Sequence, residues 1–361
     1  MKIIHLFTAS SGFFTARMYI PFIKKHFCNQ EHHFATIGTE FESTVSSMQY
    51  NHPDIISALD FENYCVDSLR FLNQYDRIVL HSLQLPLKAR LLMCTSKIIM
   101  DKMIWVAWGY DLYQWKKEGS SIKEHADNYI GDAFRKRIKY FVGIIPIDIE
   151  YFNKHYTAST YHAPYVGSIE NPLYKKDYSS LIKEINKKNE YTSIMVGHSS
   201  TRILKHIDTL NQLKKFKSQN IKIILPLTYG DSEYGAHVER VANRLFPGKV
   251  QCIKKHMNRE DHTALLQTID VAIFNTERQI GLGNIYQLLY MNKKVILPKT
   301  SAMFNYFKSL QQNVVAWEEI ITMDFEDFNG KPEIKTNGEG IKYLIADETS
   351  LVKMWRSVFE S

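Results

Sequence analysis

Short apolar runs alternate with helical stretches along nearly the whole chain, and the alternation starts twice. In the first half, "KIIHLF" (2–7), "HHFATIG" (32–38), "DIISAL" (54–59), "DRIVLHS" (76–82) and "KMIWVAWG" (102–109) have the length and composition of strands. Between them, "ARMYIPFIKKHF" (16–27) and "LPLKARLLMCTSK" (85–97) carry apolar residues at helical spacing. A loop-rich stretch, "VGSIENPLYKKDYSSL" (166–181), then interrupts the pattern. It resumes with strands at 191–200, 221–230, 249–254, 268–275 and 292–298, and with helices at 203–216 and 233–246. Such alternation predicts an α/β protein built from βα units on parallel sheets. We expect two Rossmann-like, doubly wound domains facing a central cleft, over 1–170 and 171–345. The amphipathic helix "ETSLVKMWRSVFE" (348–360) has Leu351, Met354, Trp355 and Phe359 on one face. As part of a 346–361 tail, it is expected to pack back on the N-terminal domain.

At 361 residues the chain is too long for one ordinary core, and 45% hydrophobic residues exclude a disordered chain. Four cysteines, Cys28, Cys65, Cys94 and Cys252, have neither CxxC nor metal-site spacing and read as reduced thiols. The opening "MKIIHLFTASSGFF" has too short an apolar run for a secretion signal, and no window approaches a membrane span. A cytoplasmic protein is the expectation. The net charge of +7 favours anionic partners.

In parallel sheets of this kind ligands gather at the carboxyl ends of strands. The turns there are Gly12, His81, Trp108–Asp111, Gly197–Thr201, Thr228–Gly230 and Gln279–Asn284. "ERQIGLGNIYQLLY" (277–290) places Gly281 and Gly283 where a helix starts, and a helix start offers free N–H groups and a positive dipole end to phosphate. A tight strand-to-helix turn would use the same glycines. "VGHSSTR" (196–202) sets Gly197, Ser199 and Ser200 in a second such turn, where the hydroxyls would serve equally as helix caps. There is no GxxxxGK[ST], HExxH or GxSxG, and GLGNIY lacks the third glycine of a dinucleotide fingerprint. The densest aromatic stretch is "WVAWGYDLYQW" (105–115), with Asp111 among Trp108, Tyr110, Tyr113 and Trp115. Aromatic faces beside one carboxylate suit a sugar; an N-capping Asp in an aromatic core would look the same. Asp111 and His81 are the two candidates for a general base. "DAFRKRIKYFVG" (132–143) sets Arg135, Lys136 and Lys139 beside Phe134, either as a solvated helix or as a basic face for an anionic bilayer. Nucleic acid is not expected, because the aromatic residues follow apolar periodicity rather than forming stacking platforms.

Taken together, "IVLHSLQLPL", "WVAWGYDLYQ", "VGHSSTRILKHI", "KIILPLTYG" and "ERQIGLGNIYQLLYMNKKVIL" resemble the bacterial 4-acetamido-4,6-dideoxygalactosyltransferases of glycosyltransferase family 56. The resemblance covers most of the chain, and WGxDLY with the RQxGxG turn is its most specific part. It implies the GT-B architecture and a dTDP-sugar donor carrying 4-acetamido-4,6-dideoxygalactose. It further implies a polyprenyl-diphosphate-linked glycan as acceptor, and peripheral attachment to the inner face of the plasma membrane. No cofactor or metal is implied. On this reading Gly197, Ser199, Ser200, Tyr229, Arg278, Gln279, Gly281, Gly283 and Asn284 bind the donor nucleotide, and Trp108, Tyr110 and Tyr113 bind sugar. Two departures stand out: His198 occupies a position where the family is expected to carry Asn, and "YGDSEY" replaces a Pro/Asn-rich loop. The alternatives are a nucleotide-sugar epimerase of the same fold and a non-enzymatic basic protein that binds membrane or nucleic acid.

Overall fold

The computed structural model describes the chain outside residues 38–53, 62, 114–120, 165, 167–189, 313 and 331–346, with backbone alone at 9–15 and 56–58. Trp115 and all of the 166–181 stretch except Val166 lie outside the described residues. The chain divides into two compact units, Met1–Ile169 with Ala346–Ser361, and Glu170–Ile345.

Among the described residues, the first unit holds seven strands: β1 (Lys2–Thr8), β2 (Glu31–Ile37), β3 (Ile55–Leu59), β4 (Arg77–His81), β5 (Met103–Val106), β6 (Tyr140–Gly143) and β7 (Ser159–His162). They pair in parallel in the order β3-β2-β1-β4-β5-β6-β7. The two-residue period of a strand explains why β1 is apolar almost throughout. Ile4 and Leu6 enter a layer with Leu72, Met93, Met100 and Phe134, while Ile3 and Phe7 enter the opposite layer with Tyr19 and Ile20. The C-terminal helix Glu348–Phe359 completes that second layer with Leu351, Trp355, Val358 and Phe359; Met354 is only partly buried. Asp347 caps the helix, its side chain accepting from the Ser350 N–H.

The second unit holds β8 (Thr192–Val196), β9 (Ile221–Pro226), β10 (Val250–Ile253), β11 (Val271–Ile273), β12 (Lys294–Leu297) and β13 (Val314–Ala316). Their order is β10-β9-β8-β11-β12-β13, again all parallel. In each unit the chain winds outward from its first strand, then returns to that strand's other side. The loops after β1 and β4, and those after β8 and β11, therefore part from each other. A doubly wound sheet opens a crevice at such a switch point.

The structure alters three local expectations. The helix expected over 16–27 runs from Ala9 to His26, so Gly12 lies within it and not in a turn. The 132–143 run is not one helix: the helix Ile122–Arg137 ends, Ile138 is extended, and Tyr140 begins β6. The short strands β6, β7 and β13 add to those read from the sequence.

Candidate functional site

The crevice of the second unit is built from three turns. β8 ends at Gly197, whose φ of +66° belongs to the left-handed region and whose N–H donates to Ile273 O at 2.9 Å, tying this turn to β11. A Cβ at Gly197 would lie 2.5 Å from His206 Nε2, so only glycine fits. Ser199 is fully buried, and its hydroxyl lies 2.8 Å from that of Thr201. Ser200 turns away. It bridges Gly230, its N–H donates to Tyr229 O at 2.7 Å, and its hydroxyl sits where a Cβ on Gly235 would fall. Ser200 thus pins the β8 and β9 loops together through its backbone. Tyr229, at the β9 end, stays half exposed (53%), with its ring 6.1 Å from that of His198.

The third turn follows β11. Asn275, Thr276, Arg278 and Gln279 are all buried, and the helix Leu282–Tyr290 begins at Gly281. Gly281 has a φ of +72°, and a Cβ there would lie 3.0 Å from His198 Nδ1 and 3.3 Å from Phe274. Here a left-handed backbone and a close approach both require glycine. Gly281 provides no side-chain cap, whereas Asp231, Asn258, Ser301 and Asp324 cap four other helices of this unit. A Cβ at Gly283 would meet nothing within 4 Å, so the space over the first turn is open. Asn284 is half buried beside it, its N–H donating to Gly281 O at 3.0 Å. An uncapped helix start beneath open space, with the buried Arg278 in the preceding turn, leaves N–H groups and a positive dipole end of the kind that suits an anion.

Sequence reasoning passed over the polar groups that face this turn from below. His198 is 7% exposed, and its Nδ1 has no hydrogen-bond partner among the described residues; the same holds for the buried Thr276 hydroxyl and His206 Nε2. Burial, with His206, Arg278 and His262 nearby, lowers the His198 pKa to about 3. Its only signal in the sequence was its departure from the expected Asn.

The first unit treats its strand ends differently. Asp111, in the short helix Tyr110–Tyr113, is 2% exposed and its carboxylate is fully engaged. Oδ2 accepts from Leu83 N–H at 2.9 Å and Trp105 Nε1–H at 2.7 Å, and Oδ1 accepts from Trp108 N–H at 2.7 Å. Three donors clamp the ends of β4 and β5 to one side chain. The expected general base thus lies in a buried hydrogen-bonded cluster at the ends of β4 and β5. His81 is likewise a core residue. It is 1% exposed, stacks on Phe7 at 4.6 Å, meets Tyr19 edge-on at 4.5 Å, and is lowered to about 3 by burial. Its Nε2 lies 3.4 Å from His5, which pairs in turn with His32 at 2.9 Å. The His81 Nδ1 has no hydrogen-bond partner among the described residues. Of the three expected sugar-binding rings, Tyr110 is exposed (47%) and Trp108 half buried, while the Tyr113 hydroxyl donates to Asp148 at 2.7 Å.

The expected membrane face is also redistributed. Phe134 is fully buried, and Arg135 is 2% exposed, donating to Gly131 O and Asp111 O with its guanidinium over the Trp105 ring. Lys136 and Lys139 remain outside, paired with Asp132 and Asp101. A helix turns residues 134 and 135 about 100° apart, and here both meet the core; Lys136, Arg137 and Lys139 are the exposed basic residues left of that run.

Residues 31–324 match the family described as 4-alpha-L-fucosyltransferase, glycosyl transferase group 56. Among solved structures, HepE of Anabaena in complex with UDP is similar over 100% of both chains, at 13% identity and a TM-score of 0.69. A glycosyltransferase from Rickettsia africae matches 99% of this chain and 97% of its own, at 13% identity and a TM-score of 0.58. The UDP-GlcNAc 2-epimerase of Neisseria meningitidis, bound to UDP-GlcNAc, matches 100% of both chains at 11% identity and a TM-score of 0.54. At such identities the likeness establishes a shared fold, which transferases and epimerases both use; the family match separates them. That match spans well over half of the chain, and the protein belongs to glycosyl transferase group 56, as a glycosyltransferase of GT-B fold.

Proposed function

We propose that this enzyme transfers 4-acetamido-4,6-dideoxygalactose from a dTDP-sugar to a polyprenyl-diphosphate-linked oligosaccharide. The observation that carries the donor half is the uncapped helix start at Gly281, opening over Gly283 at the β8/β11 switch point. The donor diphosphate sits on the first N–H groups of that helix, and Arg278 balances the charge that builds on the departing nucleoside diphosphate. Gly197, Ser199, Tyr229, Gln279 and Asn284 surround the nucleotide. HepE has been seen with UDP and with UDP-glucose, which supports a nucleotide-sugar donor. The 6-deoxy sugar follows the resemblance of WGYDLY and RQIGLG and accords with a family described as fucosyltransferases. Tyr110 and Trp108 supply the aromatic platform for an acceptor sugar. No helix among the described residues is long and apolar enough to cross a membrane, and the enzyme meets its lipid-linked acceptor peripherally, at the inner surface of the plasma membrane.

The test is to incubate the purified enzyme with a panel of dTDP- and UDP-sugars and a polyprenyl-diphosphate-linked disaccharide, and to weigh the products by mass spectrometry. The expected result is one added 4-acetamido-4,6-dideoxyhexose from the dTDP donor alone. Transfer from a UDP-hexose in preference, or to a water-soluble acceptor only, overturns the assignment.

A further inference from the structure

We propose that His198 is a proton-coupled ligand of the donor diphosphate, neutral in the empty site and charged once the phosphates arrive. This rests on the reading of the Gly281 turn as the diphosphate seat and deepens it.

The geometry comes first. His198 follows directly on β8, and its ring lies under the N-cap of the helix Leu282–Tyr290, with Nδ1 3.0 Å from where a Gly281 Cβ would be. The ring is more than nine-tenths buried, and that nitrogen has no hydrogen-bond partner among the described residues. A buried polar atom without a partner is unfavourable by about 1–3 kcal/mol, and such atoms in native proteins generally await a water or a ligand. The neighbours then decide which ligand. Phe274 and Tyr229 present rings at 6.0 and 6.1 Å. The titratable groups acting on His198 are His206 from the helix His206–Leu213, His262 from the helix Arg259–Thr268, and Arg278 from the β11 loop. None is a carboxylate. The helix start adds positive potential of its own.

The groups that act on His198 are two histidines and an arginine, and burial is the largest cost of charging it; its pKa falls to about 3 as a result. A diphosphate seated at Gly281 reverses the local field. The imidazole takes one proton from solvent and becomes imidazolium, and both ring nitrogens are then donors toward phosphate oxygen. No bond to phosphorus forms or breaks. An Asn at this position, the residue expected from the family pattern, would donate without titrating. His198 therefore gives this chain a donor affinity that depends on pH.

The experiment measures dTDP affinity by calorimetry from pH 6 to pH 8 for the wild type and His198→Asn, in two buffers of different ionisation heat. Linkage allows up to about a tenfold change in affinity per pH unit for one coupled proton. The expected result is wild-type affinity that rises at least about tenfold more than that of the variant as pH falls from 8 to 6, with net proton uptake that the variant lacks. The titration of dTDP itself is common to both proteins and cancels. Parallel affinity curves with equal proton uptake overturn the role of His198 while leaving the diphosphate seat in place. Failure of both proteins to bind dTDP at any pH overturns the seat and the inference together. Should His198→Asn not fold, the wild-type His198 Cε1–H resonance is followed by NMR at pH 6.5. It moves to its imidazolium position on adding dTDP, and a resonance that stays neutral in the bound state refutes the proposal.

Discussion

The two crevices are made by the same winding of the chain, yet the first closes three donors on a buried carboxylate while the second keeps an uncapped helix start beneath open space. Common to both is a buried histidine Nδ1 with no hydrogen-bond partner among the described residues, His81 in one and His198 in the other. After β4 and β5, Asp111 takes up Leu83 N–H, Trp108 N–H and Trp105 Nε1–H, and His81 is closed in by Phe7, Tyr19 and Trp355. After β8 and β11, the helix start lacks a cap, Gly283 faces open space, and His198 Nδ1 and the Thr276 hydroxyl have no hydrogen-bond partner among the described residues. The contrast separates residues that hold a fold from residues that wait for a ligand. A polar group whose hydrogen bonds are complete inside the protein is spent on stability; an incomplete one points to a ligand only where open space lies beside it, as it does over Gly283.

The largest expected effect tests the filled crevice. Asp111→Ala leaves three buried donors without an acceptor and should cost about 3–5 kcal/mol in urea unfolding, while the folded fraction binds dTDP as before. A variant that is as stable as wild type but inactive would break the comparison by returning Asp111 to catalysis.

His81 gives the next effect, through pH. Its folded pKa of about 3 lies below the ordinary 6.5, so the unfolded chain takes the proton first as pH falls. Stability from the neutral ring is complete above pH 6.5 and is lost progressively as pH drops toward 3, at about 1.4 kcal/mol per unit. Between pH 7 and pH 5 the wild type should lose about 2 kcal/mol more than His81→Phe in urea titrations, with or without dTDP. Sensitivity of that difference to dTDP would mean that nucleotide reaches His81, and the two histidines would no longer contrast.

Gly283→Val probes the open crevice. With nothing near the new side chain in the free protein, the urea midpoint should stay close to wild type while dTDP binding weakens at least about tenfold, or 1.4 kcal/mol. Unchanged binding by the folded variant would move the diphosphate elsewhere. The smallest effect is expected at the exposed ion pairs. Lys136→Ala and Lys139→Ala should leave the urea midpoint unchanged, since solvent-exposed pairs contribute little. A clear loss of stability at either would show that these lysines share the buried duty of Arg135.

The double α/β winding was legible because parallel strands buried on both faces read as near-continuous apolar runs, and β8, β9 and β12 do so. β7, Ser-Thr-Tyr-His, has no apolar run to read, and β6, Tyr-Phe-Val-Gly, follows straight on a basic helical stretch that hides its start. Gly281 was legible because a glycine before a helical apolar pattern has few other uses. Asp111 was not, because an acid among aromatic residues looks the same in sequence whether its hydrogen bonds are closed or open. The acceptors for Arg135, Gly131 O and Asp111 O, are equally invisible, so a buried guanidinium was read as part of a surface. Burial and hydrogen-bond completion are properties of three dimensions, and they decided every residue whose role changed.

The C-terminal helix has a consequence for how the chain is made. Leu351, Trp355, Val358 and Phe359 finish the core of the first unit, although the whole second unit lies between them and the rest of that core in sequence. During synthesis the second unit, continuous in the chain, has all its strands before the first unit has its last helix. Until then Tyr19 and His81 lack their Trp355 cover. The usual order of N-terminal domain first is therefore interrupted, and the first unit closes only after the helix Glu348–Phe359 has been made.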